Sequence, residues 1–211
     1  MLGQFRAHEA DVLLGTQMVT KGHDFPDVTL VGVLLADASL YLDDYRASER
    51  TFSMLTQVIG RAGRGKRGGL AVIQTNNPDS DVIRLACAQD YETFYEREIR
   101  MRRLLVFPPF CDIALLTLTG ALEGELLKAS TLLAKELQTR AEGEYRDVSL
   151  ITFGPFEAPV YRVDNKYRMR MVIKCRLNRR TLSMLADLLC DFSNKIGKHM
   201  TLSIDLNPSN L

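Results

Sequence analysis

YRMRMVIKCR, residues Tyr167 to Arg176, is the most clearly patterned stretch of the chain. Met169, Met171, Ile173 and Cys175 alternate with Arg168, Arg170, Lys174 and Arg176. A period of two marks a strand, because successive side chains there point to opposite faces. The apolar side is expected to pack on helices, and the Arg/Lys side to lie on the open side of a sheet. Downstream, Thr181 to Ile196 sets Leu182, Leu185, Leu189, Phe192 and Ile196 at helical spacing, and Thr201 to Leu206 alternates again. Upstream, Val148 to Phe153 reads as a strand ending at Gly154-Pro155. Leu122 to Arg140 reads as an amphipathic helix with Leu122, Leu126, Ala129, Leu133 and Leu137 on one face. Ile113 to Thr119 completes the order strand, helix, strand, strand, helix, strand. That order predicts a small α+β, ferredoxin-like split βαβ sandwich with helices on one sheet face.

Phe107-Pro108-Pro109-Phe110 precedes this region, and two prolines cannot sit inside a helix. The domain boundary is placed there, giving residues 1–107 and 108–211. The first part alternates apolar runs with helical patterns, which predicts an α/β parallel sheet. Asp11 to Leu14 reads as a short buried strand, Thr29 to Ala36 as a strand covered on both faces, and Leu70 to Gln74 as a third. Arg46 to Arg61 reads as a helix with Phe52, Leu55, Val58 and Ile59 on one side. Asn77-Pro78-Asp79 reads as the start of a helix running to about Leu105. Three strands are few against the usual five or so. The sequence is therefore expected to begin partway through this domain, leaving an unpaired sheet edge that invites another chain.

Composition places the chain among ordinary globular proteins, with 46% hydrophobic and 25% charged residues and a formal net charge of +1. No apolar run reaches the length of a membrane span, and the start lacks a secretory pattern. A cytoplasmic location without membrane association is expected. Cys87, Cys111, Cys175 and Cys190 form no C-x-x-C pair, and His8, His23 and His199 are scattered. Buried free thiols and no metal site are expected.

The sharpest chemical signal is QVIGRAGR, residues 57–64, at the C-terminal end of the predicted helix. Arginine has a rigid fork that matches phosphate oxygens, and glycines let a backbone approach a ligand closely. Gln57 lies about one turn before Arg61, so both can address one site. On spacing alone the segment reads equally as a basic turn between helix and strand. A second signal, GTQMVTKGHDF at residues 15–25, follows a predicted strand. Loops at that end of a parallel strand are where α/β sheets bind ligands. It is not a Walker A loop, since G-x-x-x-x-G-K-[ST] is absent.

In this order and spacing the two segments resemble motifs V and VI of superfamily 2 helicases. Ala36-Asp37, YRASERT at 45–51, Gln74-Thr75, FYERE at 94–98, Pro108-Pro109-Phe110, Gly154-Pro155 and Asp205-Leu206-Asn207-Pro208 extend the likeness. Nearly the whole chain thus resembles the primosomal protein N′ (PriA) family of replication-restart helicases, most strongly over residues 11 to 75. The resemblance implies part of a RecA-like second helicase lobe followed by a C-terminal domain. It implies an ATP-dependent 3′-to-5′ DNA helicase that restarts stalled forks through primosome assembly. Arg64 would be the arginine finger, a group worth roughly 10³ to 10⁵ in rate. Arg61 would be its partner at the phosphates, and Gln57 would sense the γ-phosphate or brace the pair. Gly22, Asp24, Gly60 and Gly63 would line the nucleotide. Gly15, Thr16, Gln17 and Lys21 would touch DNA, with a surface role open for Lys21 and a solvated loop role open for His23. Implied cofactors are ATP and Mg²⁺, with zinc only in a cysteine-rich module upstream. Implied partners are DNA forks and single-strand/duplex junctions, single-strand DNA-binding protein and other primosome proteins.

Walker A and Walker B motifs are absent from this sequence, and those groups hold the phosphates and Mg²⁺. The chain alone is therefore expected to lack ATPase and unwinding activity. The alternatives are another superfamily 2 DNA translocase, or a non-catalytic nucleic-acid-binding module with a degenerate motor lobe. Between Arg162 and Arg180, eight cations face one acid, Asp164, a local charge of +7. The strand face bearing Arg168, Arg170, Lys174 and Arg176 is a candidate DNA contact, with Tyr161 and Tyr167 as stacking groups. The other reading is a solvated face, or one docked on another domain. Arg97, Arg100, Arg102 and Arg103 sit near a helix C-terminus, where cations are favourable anyway.

Overall fold

The computed structural model describes residues 2–16, 25, 27–62 and 68–211. The chain divides into two compact units, one up to Arg100 and one from Met101.

In the first unit, β1 (Leu30–Val33) and β2 (Leu70–Ile73) pair in parallel, Leu30 opposite Leu70 and Val33 opposite Ile73. The bonding continues beyond the strands: Gln74 N–H donates to the Val33 carbonyl at 2.8 Å, and Ala36 N–H to Gln74 at 2.9 Å. The described helices of the part before β2 are α1 (Leu2–Arg6), a 3-10 turn at Ala38–Tyr41 and α2 (Ala47–Ile59). In α2, Phe52 and Leu55 share a core with Ala36 and with Ile83, Ala86 and Phe94 from the following helices. The Phe52 and Phe94 rings stack with centroids 4.1 Å apart. The chain enters α2 over Asp44, whose carboxylate takes the Arg46 N–H at 2.8 Å and lies 3.1 Å from Arg50 Nη1.

Three expectations for this unit are corrected. Residues 11–14 form no strand; Val12 and Leu14 are 82% and 80% exposed. A short apolar run holds strand geometry only through a ladder partner, and none pairs with it among the described residues. Among the described residues β1 and β2 are covered on one face only, with Leu30, Leu70 and Val72 more than half exposed. The single helix predicted from Pro78 is two helices, α3 (Asp81–Ala88) and α4 (Tyr91–Leu104). Asn77 to Ser80 closes a turn instead. Gln89 takes a left-handed conformation, φ +54, that ends α3. Asp90 then accepts the Thr93 N–H at 3.1 Å and opens α4; hydrogen bonding from the Thr93 side chain, and then from its backbone, holds the Asp90 carboxyl below the usual range. The thiols also divide: Cys111 and Cys175 are buried, whereas Cys87 and Cys190 are exposed.

The second unit follows the predicted order: β3 (Asp112–Gly120), α5 (Glu123–Glu142), β4 (Ile151–Val163), β5 (Lys166–Cys175), α6 (Arg179–Lys195) and β6 (Met200–Leu206). The sheet order is β4-β5-β3-β6, every neighbour antiparallel. This is the ferredoxin-like split βαβ arrangement. Met169, Met171, Ile173 and Cys175 are buried as their alternation requires, with Leu126, Leu133 and Leu137 of α5 and Leu188 and Phe192 of α6. Leu122 stands outside this face, 55% exposed just before α5 begins. β4 does not end at Gly154-Pro155 but runs through it with a register shift.

The opposite face is only partly open. Lys174 was expected there in solvent; it is 7% exposed. Its ammonium donates to the Leu105 carbonyl at 2.7 Å and lies 3.5 Å from the Phe107 ring centroid. Ile113 and Leu115, on the same face by register, are buried too. The diproline connector thus closes this end of the sheet. At the tail, Asn207 Oδ1 accepts the Ile113 N–H at 2.9 Å, and its Nδ2 donates to Asp112 at 3.1 Å. The other Asp112 oxygen accepts the Leu177 N–H at 2.9 Å. Asp112 therefore ties β3, the turn after β5 and the end of β6 together.

The Leu177 and Asn207 hydrogen bonds hold the Asp112 carboxyl below its usual range. Its charged form stabilises the fold above the ordinary carboxylate value, and that contribution fades as pH falls through the lowered folded value. Asp112→Asn is expected to cost about 1–3 kcal/mol in urea unfolding at pH 7. The gap should narrow below about pH 3.8; a gap unchanged down to pH 2 would contradict this. Lys174→Ala should cost about 1–3 kcal/mol by the same measurement, because it strands the Leu105 carbonyl and empties the space between Phe107 and Phe153.

Candidate nucleotide and nucleic-acid surfaces

The first candidate surface is the C-terminal turn of α2. Phe52, Leu55 and Val58 anchor one side of that helix in the core. Gln57 is exposed and Arg61 half-buried just beyond the helix end. The turn tightens there: Gly60 N–H bonds to Thr56, Arg61 N–H to Val58 at 3.0 Å and Ala62 N–H to Ile59 at 3.1 Å. Gly60 has φ −66, which any residue adopts, but a Cβ would lie 3.2 Å from the Thr56 carbonyl. Its small size serves this close packing rather than an unusual backbone angle. Gln57 sits in the last turn of the helix, and Arg61 follows in the closing turn outside it. Gly15 and Thr16 are exposed and belong to no helix or strand. Gln17, Lys21, Gly22, Asp24, Gly63 and Arg64 lie outside the described residues.

The second candidate surface is the cationic face of β5. Its four named cations have different surroundings. Arg168 donates twice to the Val160 carbonyl of β4, at 3.0 and 2.6 Å. Arg170 is half-buried, and burial, with Arg168 nearby, lowers its pKa. Its Nε is shielded from solvent without a hydrogen-bond partner. Lys174 is committed to Leu105, and burial pushes its pKa down. Arg176 is exposed, beside Asp112, whose carboxyl it helps keep charged.

The two tyrosines named as stacking groups are on the other side. Tyr167 has the parity of Met169, and both Tyr161 and Tyr167 pack against the helix-side core. The Tyr161 hydroxyl, pushed up to about 12 chiefly by burial, donates to Glu123 at 3.0 Å. The exposed aromatic rings of the cationic face are Phe153 and Phe156, which sequence reading missed. Ending β4 at Gly154 removed Phe156 from the sheet. Also missed was Asp37, 1% exposed, which accepts the Asn76 N–H at 3.1 Å and joins the ends of the two parallel strands. Ala36-Asp37 extended the family likeness, but nothing in the spacing gave the carboxylate a role. Among the described residues no cluster of His, Cys, Asp and Glu could hold a metal ion. No described helix is long and apolar enough to cross a membrane.

Comparison with known proteins agrees with both units. Residues 103–209 match the Primosomal protein N C-terminal domain family, and residues 1–66 match the Helicase conserved C-terminal domain family. Replication restart protein PriA of Bacillus subtilis is 40% identical over 209 residues, which is 99% of this chain and 25% of that protein. The protein of the same name from Synechocystis sp. is 38% identical over 177 residues, 82% of this chain and 20% of its own length. That of Treponema pallidum is 36% identical over 204 residues, 96% of this chain and 30% of its own length. The chain thus spans between a fifth and a third of the length of these relatives. With the split βαβ sheet built over the matched 103–209 region, the chain belongs to the primosomal protein N (PriA) family and carries its C-terminal domain.

Proposed function

We propose that this chain supplies the second-lobe end and the C-terminal domain of an ATP-dependent 3′-to-5′ DNA helicase acting in replication restart at stalled forks. The observation that carries the reading is the helicase match over residues 1–66, which includes the C-terminal turn of α2 with Gln57 exposed and Arg61 half-buried. In this reading residues 1–107 belong to the motor lobe and 108–211 form the C-terminal domain. Arg64 reaches the γ-phosphate of ATP-Mg²⁺ held by another lobe, and Arg61 supports it. Gln57 senses or braces that pair. Gly22, Asp24, Gly60 and Gly63 line the nucleotide, and Gly15, Thr16, Gln17 and Lys21 meet the tracked strand. The physics is transition-state charge stabilisation by a guanidinium brought across a lobe interface. Zinc belongs to a separate cysteine-rich module, and the setting is cytoplasmic, with single-strand DNA-binding protein and primosome proteins as partners. In the C-terminal domain, Arg170 and Arg176 contact the DNA backbone. Arg168 and Lys174 chiefly hold the sheet together through their carbonyl partners.

The motor reading is tested in a chimera in which this chain replaces the matching quarter of the Bacillus relative. Arg64→Ala should lower DNA-stimulated, Mg²⁺-dependent ATP hydrolysis by roughly 10³-fold or more. The isolated chain should hydrolyse none in a single-turnover assay. Hydrolysis by the chimera that is indifferent to Arg64 would overturn the assignment. For the C-terminal domain, the dependence of log K on log salt for duplex DNA should flatten by about 0.9 for each of Arg170→Glu and Arg176→Glu. An unchanged slope would remove these arginines from the backbone contact.

A further inference from the structure

Strict alternation would put Phe153 and Phe156, three residues apart, on opposite faces of the sheet. The register does otherwise. Phe153 pairs with Val172 and Phe156 with Arg170, so β4 uses one more residue than β5 between the two pairs. Such a bulge re-aims the side chain that follows it. Gly154 makes it possible: its φ is +103, and a Cβ would lie 2.8 Å from the Arg170 carbonyl and 2.9 Å from the Phe156 ring. No other residue fits that crossing. Both rings consequently share the cationic face, 45% and 39% exposed.

Their surroundings are specific. Arg170 pairs directly with Phe156 across the strands, and its Nε is buried without a hydrogen-bond partner. Thr117 flanks Arg170 on the other side, with Ser203 opposite Thr117. Among the described strand residues with this parity, Asp205 on the far edge strand is the one acid. Two apolar rings beside a guanidinium with no counter-ion among the described residues suit a ligand with flat faces and a negative backbone.

We propose that Phe153, Phe156 and Arg170 form a platform for one unpaired DNA strand, two bases stacking on the rings and Arg170 meeting the phosphate between them. The proposal rests on the DNA-helicase reading and adds the class of strand. Ring positions two β5 residues apart lie roughly 7 Å from each other along the sheet. That is about twice the 3.4 Å rise of a duplex strand, so the bound bases must be unstacked. A duplex hides the base faces that such rings need.

The test uses the 211-residue chain and three fluorescent probes: an oligothymidylate, an abasic strand of equal length and a duplex of equal length. Phe156→Ala and Phe153→Ala should each weaken oligothymidylate binding roughly five- to one-hundred-fold, and leave the abasic strand and the duplex unchanged. Arg170→Glu should weaken all three. Circular dichroism checks that each variant is folded. The chain has no tryptophan, so Phe156→Trp adds a single indole and keeps the stacking surface. Its emission should be quenched by oligothymidylate and not by the abasic strand. Three results would overturn the platform: no quenching at saturation, equal losses for all probes in the Phe variants, or no binding of oligothymidylate by the parent chain. If the Phe variants bind normally while Arg170→Glu still weakens the duplex, the platform fails and the backbone-contact reading survives. If Arg170→Glu changes nothing either, both fall.

Discussion

Burial of Met169, Met171, Ile173 and Cys175 against α5 and α6 decides the character of the C-terminal unit. Each apolar side chain forced inward sends its neighbour outward, so packing energy on one face sets the chemistry of the other. A cation of β5 cannot retreat into the helix-side core without pulling a methionine into water. Removing one such apolar side chain from water is worth roughly 1.5–3 kcal/mol. Four of them fix the register against a one-residue slip. The cationic face is therefore as firmly determined as the core itself.

That face is then edited locally, by means that alternation does not specify. Leu105 and Phe107 take Lys174 out of solvent. The Val160 carbonyl occupies the Arg168 fork. The extra residue at Gly154 brings Phe156 round to join Phe153. A row of like charges becomes a surface with one shielded guanidinium, two rings and a closed end. The motor half shows the same division of labour, since α2 is anchored by Phe52, Leu55 and Val58 while its far end carries Gln57 and Arg61.

The sequence made the topology of the second unit legible because both of its periodicities are strong. Period-two alternation in β5 and β6 and leucine spacing in α5 and α6 each permit one reading. The first unit was harder, because an apolar run such as residues 11–14 reads as a strand whether or not a partner pairs with it. The break between α3 and α4 was written as Asp90 and Thr93, but Asn77-Pro78-Asp79 carried a more conspicuous start signal. At the α2 end the helix itself was legible from the spacing of Phe52, Leu55 and Val58, while the turn that carries Arg61 departs from helical spacing. Phe153 and Phe156 were not, since a glycine can either end a strand or bulge it, and only the pairing partner distinguishes the two. Asp37 and Asp44 were hidden for another reason: their roles depend on contacts to Asn76 and to the Arg46 and Arg50 side chains, which spacing does not encode.

The uncovered side of the two-stranded sheet has a practical corollary. Leu30, Leu70 and Val72 are each more than half exposed on strands whose outer edges pair with no other described strand. At high concentration such surfaces seek each other, and the resulting association would steepen a titration curve much as true cooperativity does. Equilibrium work on this chain therefore belongs in the dilute regime, with sedimentation run alongside each isotherm.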